Sequence, residues 1–385
     1  MPPERSGGDF MHSFFTAPAG GALLFFALVA SLLILLNASA IGAKLEIMDI
    51  PDNFRKKHAR PTPLVGGLAI MIPVVLWAGV SLLWGPQSDL RLMQAVLLCG
   101  AGATLVGYAD DQRSTSPSSR LLSLFLLMGM AVVIDPALIP AQLNWGSFEP
   151  TRIPEWFAVV FVAVAMTGYV NAVNMADGQN GIVSGMFVIW AICLLLVSGG
   201  STANVAQVLF VTVLATFVFN LAGRVFLGDS GSYGIAFVYG LLAIDAHNNM
   251  GVSAETIAVW FFIPVMDCIR LMVARALQGQ APSNGDSDHF HHRLQLRVGR
   301  AAGLCTYLGV VGASSVIASL VPHLALVCMV VLAAFYFSFA WLTETDVEGK
   351  EEGGSVEPTD ATRPRLMSNS KVLKFDGRDS SAGKD

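Results

Sequence analysis

The stretch Gly168–Gly185, GYVNAVNMADGQNGIVSG, lies between two runs apolar enough to sit in lipid. Within ten residues it gathers Asn171, Asn174, Asp177, Gln179 and Asn180. Burying such groups without partners costs roughly 2–7 kcal/mol each, so they satisfy one another or bind something. Asn171, Asn174 and Asp177 recur every third residue, which on a helix keeps them on one side. Gly178 and Gly181 then mark the point where the helix breaks and the chain leaves the apolar run.

Composition places the whole chain in a bilayer. Of its 385 residues 54% are hydrophobic and 13% charged, against about 25% charged in a soluble domain. The net charge of −5 is uninformative, because the acidic excess sits largely in the C-terminal tail. No basic patch with interleaved aromatics occurs, so nucleic acid is not an expected partner. Cys99, Cys193, Cys268, Cys305 and Cys328 stand singly in apolar runs without metal-ligand spacing, and read as small buried hydrophobes.

Eleven segments can cross a bilayer as helices: 20–41, 65–84, 92–109, 120–139, 155–175, 181–198, 204–221, 231–245, 254–275, 302–320 and 323–342. The eighth is short and Gly-rich. The first carries NASA at Asn37–Ala40, similar to a signal-peptide cleavage site, and ten spans remain if it is removed; its long apolar run favours retention. With the N-terminus outside, the inner loops hold thirteen Lys and Arg against three outside (Arg5, Arg91, Arg152), the positive-inside pattern. The sequence therefore predicts an all-α polytopic membrane protein. Residues 1–19 form a short leading segment, 20–342 a transmembrane domain with cytoplasmic loops, and 343–385 a polar, disordered cytoplasmic tail.

Five polar clusters, the opening Asn-rich stretch among them, fall at cytoplasmic ends of these spans. Adjacent Asp110 and Asp111 repel unless a cation is near, and Mg²⁺ suits such oxygen ligands; a solvated turn is the plainer reading. Asp229 in LGDSGS sits between Gly228 and Gly231 before a helix start whose N–H groups can face an anion, or it caps that helix. His289, His291, His292 and Arg293 in DHFHHR lack zinc spacing and fit phosphate better. NFRKKHARP, with Lys57 and His58, fixes topology or meets anionic lipid. Asp267 and Arg270 read as an i, i+3 ion pair. The clusters on one membrane face describe a metal beside a polyanion, which is phosphate chemistry next to lipid.

At this point the sequence resembles the polyprenyl-phosphate N-acetylhexosamine-1-phosphate transferases, glycosyltransferase family 4, in order from about residue 45 to 300. DIPDNFRKKHARPTPLVGGLAI resembles the early cytoplasmic loop, DDQRSTSPSSR the Asp-Asp loop, NAVNMADGQNGI the Asn-rich motif and NLAGRVFLGDSGS the metal motif. PVMDCIRLMVAR resembles the helix that follows, and DHFHHR the His-x-His-His-Arg pattern of the WecA-type branch rather than the MraY-type.

The resemblance implies transfer of N-acetylhexosamine-1-phosphate, above all GlcNAc-1-phosphate, from a UDP-sugar to undecaprenyl phosphate at the cytoplasmic face of a bacterial inner membrane, initiating a cell-surface polysaccharide. It implies Mg²⁺, with Mn²⁺ as a substitute, on Asp229, Asp110 and Asp111. Asp110, Asp111, Asp177, His291, His292 and Arg293 are the catalytic expectations. Asn171, Asn174, Asn180, Asn220, Lys57, His58, Arg224 and His289 are the substrate-binding ones, and a second copy of the chain is a candidate partner. Asn180 stands where many members have a second Asp, and Arg224 where Lys is common. The rival reading is a transporter of a nucleotide sugar or lipid-linked sugar, since many spans with intramembrane polar groups fit transport too. Polar groups gathered at one face rather than the midplane count against it.

Overall fold

The computed structural model describes residues 18–51, 60–84, 90–279 and 289–352. Helix α1 (Pro18–Leu36) ends at Asn37, whose side-chain amide donates to Leu33 O, and the chain turns by 71° into α2 (Ala38–Lys44). Strands β1 (Met48–Asp49) and β2 (Thr62–Pro63) pair antiparallel. Then come α3 (Gly66–Trp84), α4 (Leu90–Arg113, with a π turn at Val96–Gly100) and α5 (Pro117–Ile134). A second hairpin, β3 (Gln142–Leu143) with β4 (Thr151–Arg152), precedes α6 (Glu155–Ala176). The remainder is α7 (Ile182–Val197), α8 (Gly200–Leu221), α9 (Gly228–Met250), α10 (Ala254–Leu277), α11 (Phe290–Val298), α12 (Arg300–Leu320) and α13 (Ala325–Glu352).

The fold is all-α and polytopic, and each of the eleven expected segments is helical. Among the described residues, eight helices are long and apolar enough to cross a membrane, nine with the bent pair α1–α2 taken as one. The two that fall short are α7, at 16 residues, and α9. Eleven crossings thus reduce to eight or nine on length and apolarity. The last helix also runs to Glu352, ten residues past the expected bound at 342. The described residues up to Trp341 form one compact unit, and a second begins at Leu342 and is described only as far as Glu352.

Helix α9 explains its own low apolarity. Every residue from Ser230 to Ala243 is buried, so its neighbours are protein rather than lipid. Apolar contact gives little drive for helices to associate in lipid, so close backbone approach through small residues matters more. A Cβ on Gly67 of α3 would fall 2.1 Å from Gly231 Cα, and one on Gly107 of α4 2.1 Å from Asp229 O. The glycines that made this segment look insecure are what place it at the centre.

At the end of the bundle that carries the β3–β4 hairpin, His247 and Glu255 hold the loop. His247 Nδ1 lies 2.7 Å from Val252 O, and Asn144 Nδ2 donates to His247 O at 3.2 Å. Gly146 N donates to Glu255 Oε2 at 3.0 Å. His247, a lone histidine in the sequence, is here a structural clasp.

Candidate active site

The sequence after β2 sets the frame at the other end. Phe226 N donates to Pro63 O (2.9 Å), Gly66 N to Phe226 O (2.9 Å) and Gly67 N to Leu227 O (2.8 Å). The PLVGG segment therefore lies against the loop that delivers Asp229, and the missing side chains of Gly66 and Gly67 permit that approach. Gln112 Nε2, near the end of α4, donates to Leu45 O at 2.9 Å, tying the Asp-Asp turn to α2.

Asp110, Asp111 and Asp229 come together, and they have different duties. Asp111 accepts from Asp229 N at 2.8 Å and Ser230 N at 3.0 Å, capping α9 from a neighbouring helix. The expected anion site at those N–H groups is thus filled by the protein's own carboxylate. Asp110 accepts from Thr115 N (2.5 Å) and Thr115 Oγ1 (2.8 Å), and its other oxygen pairs with Arg120. Asp229 takes a hydrogen bond from Asn174 Nδ2 at 2.6 Å, and the same amide donates to Ser232 Oγ at 2.9 Å. Burial raises the Asp229 carboxyl above the ordinary carboxylate range, and Asp110 and Asp111 raise it further.

The Asn-rich motif divides in the same way. Asn171, one turn before Asn174, points its amide at sulfur, 3.5 Å from Met175 Sδ and 3.9 Å from Cys268 Sγ, and not at the carboxylates. Asp177 caps α6; burial and the Asp111 charge push its pKa up to about 7. Asn220 is spent on the protein: Oδ1 accepts from Gly181 N (2.7 Å) and Ser184 Oγ (2.9 Å), and Nδ2 donates to Val225 O (3.0 Å). It fastens the turn after Asp177 to the loop before Asp229, which is positioning rather than substrate contact. Half-buried Asn180 has Nδ2 3.5 Å from where a Cβ on Gly223 would sit.

The His motif closes onto this turn. A Cβ on Gly178 would lie 2.5 Å from His291 Nε2 and 3.4 Å from His292 Nε2, so the two rings occupy the space that glycine leaves. The rings of His289 and His291 stack at 5.4 Å, and those of His291 and His292 lie 4.2 Å apart. His291 is 2% exposed, and its Nε2 has no hydrogen-bond partner. Burial, then His292 and His289, hold its pKa down to about 3, so the imidazole is neutral at pH 7.

Asp267 holds the motif in place. It accepts from Phe290 N at 3.1 Å and Tyr336 OH at 2.9 Å, and lies 2.9 Å from His289 Nδ1. Its expected pair with Arg270 is present at 3.2 Å, but it is one contact among several. Arg293 donates to Ala340 O at 3.0 Å, which turns one guanidinium N–H toward α13. Arg224 is exposed beside Phe219 and lines a separate cavity with Arg60. Lys57 and His58 lie outside the described residues.

In the sequence Arg120 counts only as one of the thirteen inner Lys and Arg. The signal for more was Ser116-Pro117, a capped helix start whose side chain accepts from Ser119 N; it turns the chain back so that Arg120 returns to Asp110.

Among the described residues, no three His, Cys, Asp or Glu side chains form a group that could hold a metal ion. The donor set still fits a hard cation that takes one or two carboxylates and its remaining ligands from phosphate or water. Among the described residues the ion pair at these three crowded carboxylates is that of Arg120 with Asp110, which leaves Asp229 with the neutral Asn174 amide as its donor.

Residues 93–247, from α4 through most of α9, match the family described as glycosyl transferase family 4. That range holds Asp110, Asp111, Asn174, Asp177, Asn220 and Asp229 but not the His motif. The chain is 28% identical over 332 residues to the undecaprenyl-phosphate alpha-N-acetylglucosaminyl 1-phosphate transferase of Escherichia coli K12, covering 80% of this chain and 87% of that one. The Yersinia pestis protein of the same name is 28% identical over 82% of this chain and 90% of its own. A probable undecaprenyl-phosphate N-acetylglucosaminyl 1-phosphate transferase of Bacillus subtilis is 28% identical over 66% and 71%. With the motifs in order and their carboxylates gathered at one end of the bundle, the chain is similar to glycosyl transferase family 4 in both sequence and site.

Proposed function

We propose that the chain transfers an N-acetylhexosamine-1-phosphate, GlcNAc-1-phosphate first among the candidates, from its UDP-sugar to undecaprenyl phosphate. A lipid phosphate oxygen attacks the sugar-bearing phosphorus, the bond to the bridging oxygen breaks, and UMP leaves. The observation that carries this is the meeting of Asp229 with Asp110, Asp111 and Asn174, beside a turn where Gly178 faces His291.

The lipid phosphate is mostly dianionic at neutral pH, because its second pKa is about 6. Bringing two polyanions together is therefore the larger difficulty, and a base is a minor need. Asp229 would hold Mg²⁺, or Mn²⁺ in its place, which supplies positive charge against the pyrophosphate. Asp111 keeps the first turn of α9 fixed, and Arg120 holds Asp110 in place as its counter-ion. Asn174 fixes the Asp229 carboxylate, and Asp177 borders the nucleotide pocket across the Gly178 turn. His291 Nε2, neutral and unpartnered, meets a hydroxyl or phosphate oxygen, with His292 beside it.

The carboxylate end would face the cytoplasm of a bacterial inner membrane, which agrees with the positive-inside count and with a soluble nucleotide-sugar donor. Initiation of a cell-surface polysaccharide follows from the product, a polyprenyl-diphosphate sugar.

Purified protein with undecaprenyl phosphate, Mg²⁺ and a panel of UDP-sugars should release UMP and label the lipid, with UDP-GlcNAc productive. Asp229→Asn should lower turnover at least about 100-fold while the protein stays folded in detergent. Normal turnover in that variant would sink the assignment of Asp229.

A further inference from the structure

A cavity of about 570 Å³ opens at the carboxylate end of the bundle, and its lining includes no residue of the Asp110–Asp111–Asp229 cluster. One wall is the bend between α1 and α2, with Leu35 and Leu36; another is Pro63 of β2; a third is the end of α8, with Phe219. Two guanidinium groups, Arg60 and Arg224, line the same space, Arg224 lying 6.0 Å from the Phe219 ring centre.

Below the cavity, α1 and α8 pack side by side and present an apolar surface. Leu36 is 70% exposed and Leu33, three residues earlier on α1, is 57% exposed. Leu221 and Val218 are spaced likewise on α8, at 49% and 58%. Residues three apart share a helix face, so Leu33 continues the wall that Leu36 lines, while Val218 and Leu221 add exposed apolar surface beside the lining residues Phe219 of α8 and Ala222 just after it. An apolar track ending in two cations at a membrane boundary matches a molecule with apolar tails and an anionic head. Arginine suits phosphate better than lysine does, because its planar fork makes paired, charge-assisted hydrogen bonds.

We propose that this cavity binds the phosphate head of an anionic bilayer phospholipid, with its acyl chains along α1 and α8. Basic pockets between transmembrane helices take such heads in general. Occupancy would brace the bent α1–α2 unit against β2 and the loop before Asp229. The inference needs only that the chain sits in a membrane, and it stands or falls apart from the transferase reading.

The test uses full-length protein in neutral detergent, stripped of lipid and titrated with phosphatidylglycerol, diacylglycerol or undecaprenyl phosphate. Bound lipid is counted by native mass spectrometry, and the thermal unfolding midpoint is followed. Phosphatidylglycerol should be retained and should raise the midpoint, while diacylglycerol should do neither. The double variant Arg60→Gln, Arg224→Gln should bind phosphatidylglycerol at least about 10-fold more weakly, as expected for lost hydrogen bonds to a charged group. Arg224→Lys, which keeps the charge, should bind better than Arg224→Gln and serves as a check that folding is intact. Equal retention of phosphatidylglycerol by wild type and double variant would overturn the proposal. So would diacylglycerol binding as tightly as phosphatidylglycerol, or a loss confined to undecaprenyl phosphate, which would assign the cavity to the acceptor. UMP release by the lipid-stripped wild type, measured in parallel, reports on the transferase reading alone.

Discussion

Asp267 shows how much one carboxylate can organise at a distance. It joins α10 to the start of α11 through His289 and Phe290 N, and to α13 through Tyr336. A carboxylate on Nδ1 fixes which histidine nitrogen is left to face outward, as it does around metal-bound histidines. Asp267→Asn keeps an oxygen for Phe290 N and Tyr336 OH but loses the charge. It should cut kcat/KM for the nucleotide sugar about 10- to 100-fold without unfolding the protein, the scale seen when outer-shell partners of a metal site are removed. Steady-state kinetics beside a thermal unfolding curve separate the two effects.

His291 gives a pH prediction with a definite sign. Its folded pKa of about 3 lies below the ordinary value of 6.5, so between these limits the unfolded chain binds a proton that the folded one does not. Stability is then lost as pH falls from 6.5 toward 3, by up to about 1.4 kcal/mol per pH unit for this one group. Asp177 and Asp229 have raised values and act oppositely, losing stability as pH rises, so the test is a difference. His291→Gln should flatten the acid side of the stability profile relative to wild type in denaturant titrations at pH 4, 5 and 6.5.

At the scale of elements, the glycine contacts decide the crossings. A methyl on Gly107 or Gly67 meets the backbone of α9 at 2.1 Å, and backbone cannot swing aside as a side chain can. Gly107→Ala and Gly67→Ala should each destabilise by at least about 1–3 kcal/mol, the usual cost of overpacking. Gly79, on the same helix as Gly67, has nothing within 4 Å of its added Cβ. Gly79→Ala should therefore be neutral, or stabilising by roughly 0.5–1 kcal/mol through helix propensity. Thermal unfolding of the three variants in one detergent orders them.

Elements were also where the sequence was most and least legible. Apolar runs of sufficient length located every long helix, because lipid solvent demands it. The residue types of DD, NAVNMAD, LGDSGS and DHFHHR announced phosphate chemistry. Sequence could not divide labour among them, because that depends on contacts across many positions. Asp111 is spent on α9, 118 residues later, and Asn220 on Gly181, 39 residues earlier. Arg224 reads as a cation beside phosphate, yet it lines a cavity apart from the carboxylates, since the loop after α8 points it toward α1 and β2. Arg120 was visible only as a charge, and Asp267 only as the partner of Arg270, because their other contacts lie across a turn or a loop.

Seen whole, the bundle has a chemical end and a clasped end. Thr115, Arg120 and the α9 N-terminus absorb charge at one, while His247 and Glu255 fasten the β3–β4 loop at the other. The motifs reached that arrangement from across the chain, and their convergence at one end was the part of the architecture that the loop charges foretold.

Helix α9 carries a consequence for how the protein is made. Its sequence, GDSGSYGIAFVYGLLAIDAHNNM, has Asp229 and Asp245 at its ends and four glycines in between and at its start. Such a segment is a poor passenger for the insertion machinery, which accepts helices largely on their own apolarity. Its shelter is a slot formed by α3, α4 and α6, all synthesised earlier. Biogenesis should accordingly be ordered, with α9 entering the bilayer only after those helices are in place. Appended alone to a reporter with glycosylation sites on both flanks, α9 should insert poorly, and α1–α9 together should carry it across. Efficient insertion of the isolated helix would mean that its slot is filled by docking from an already membrane-resident state.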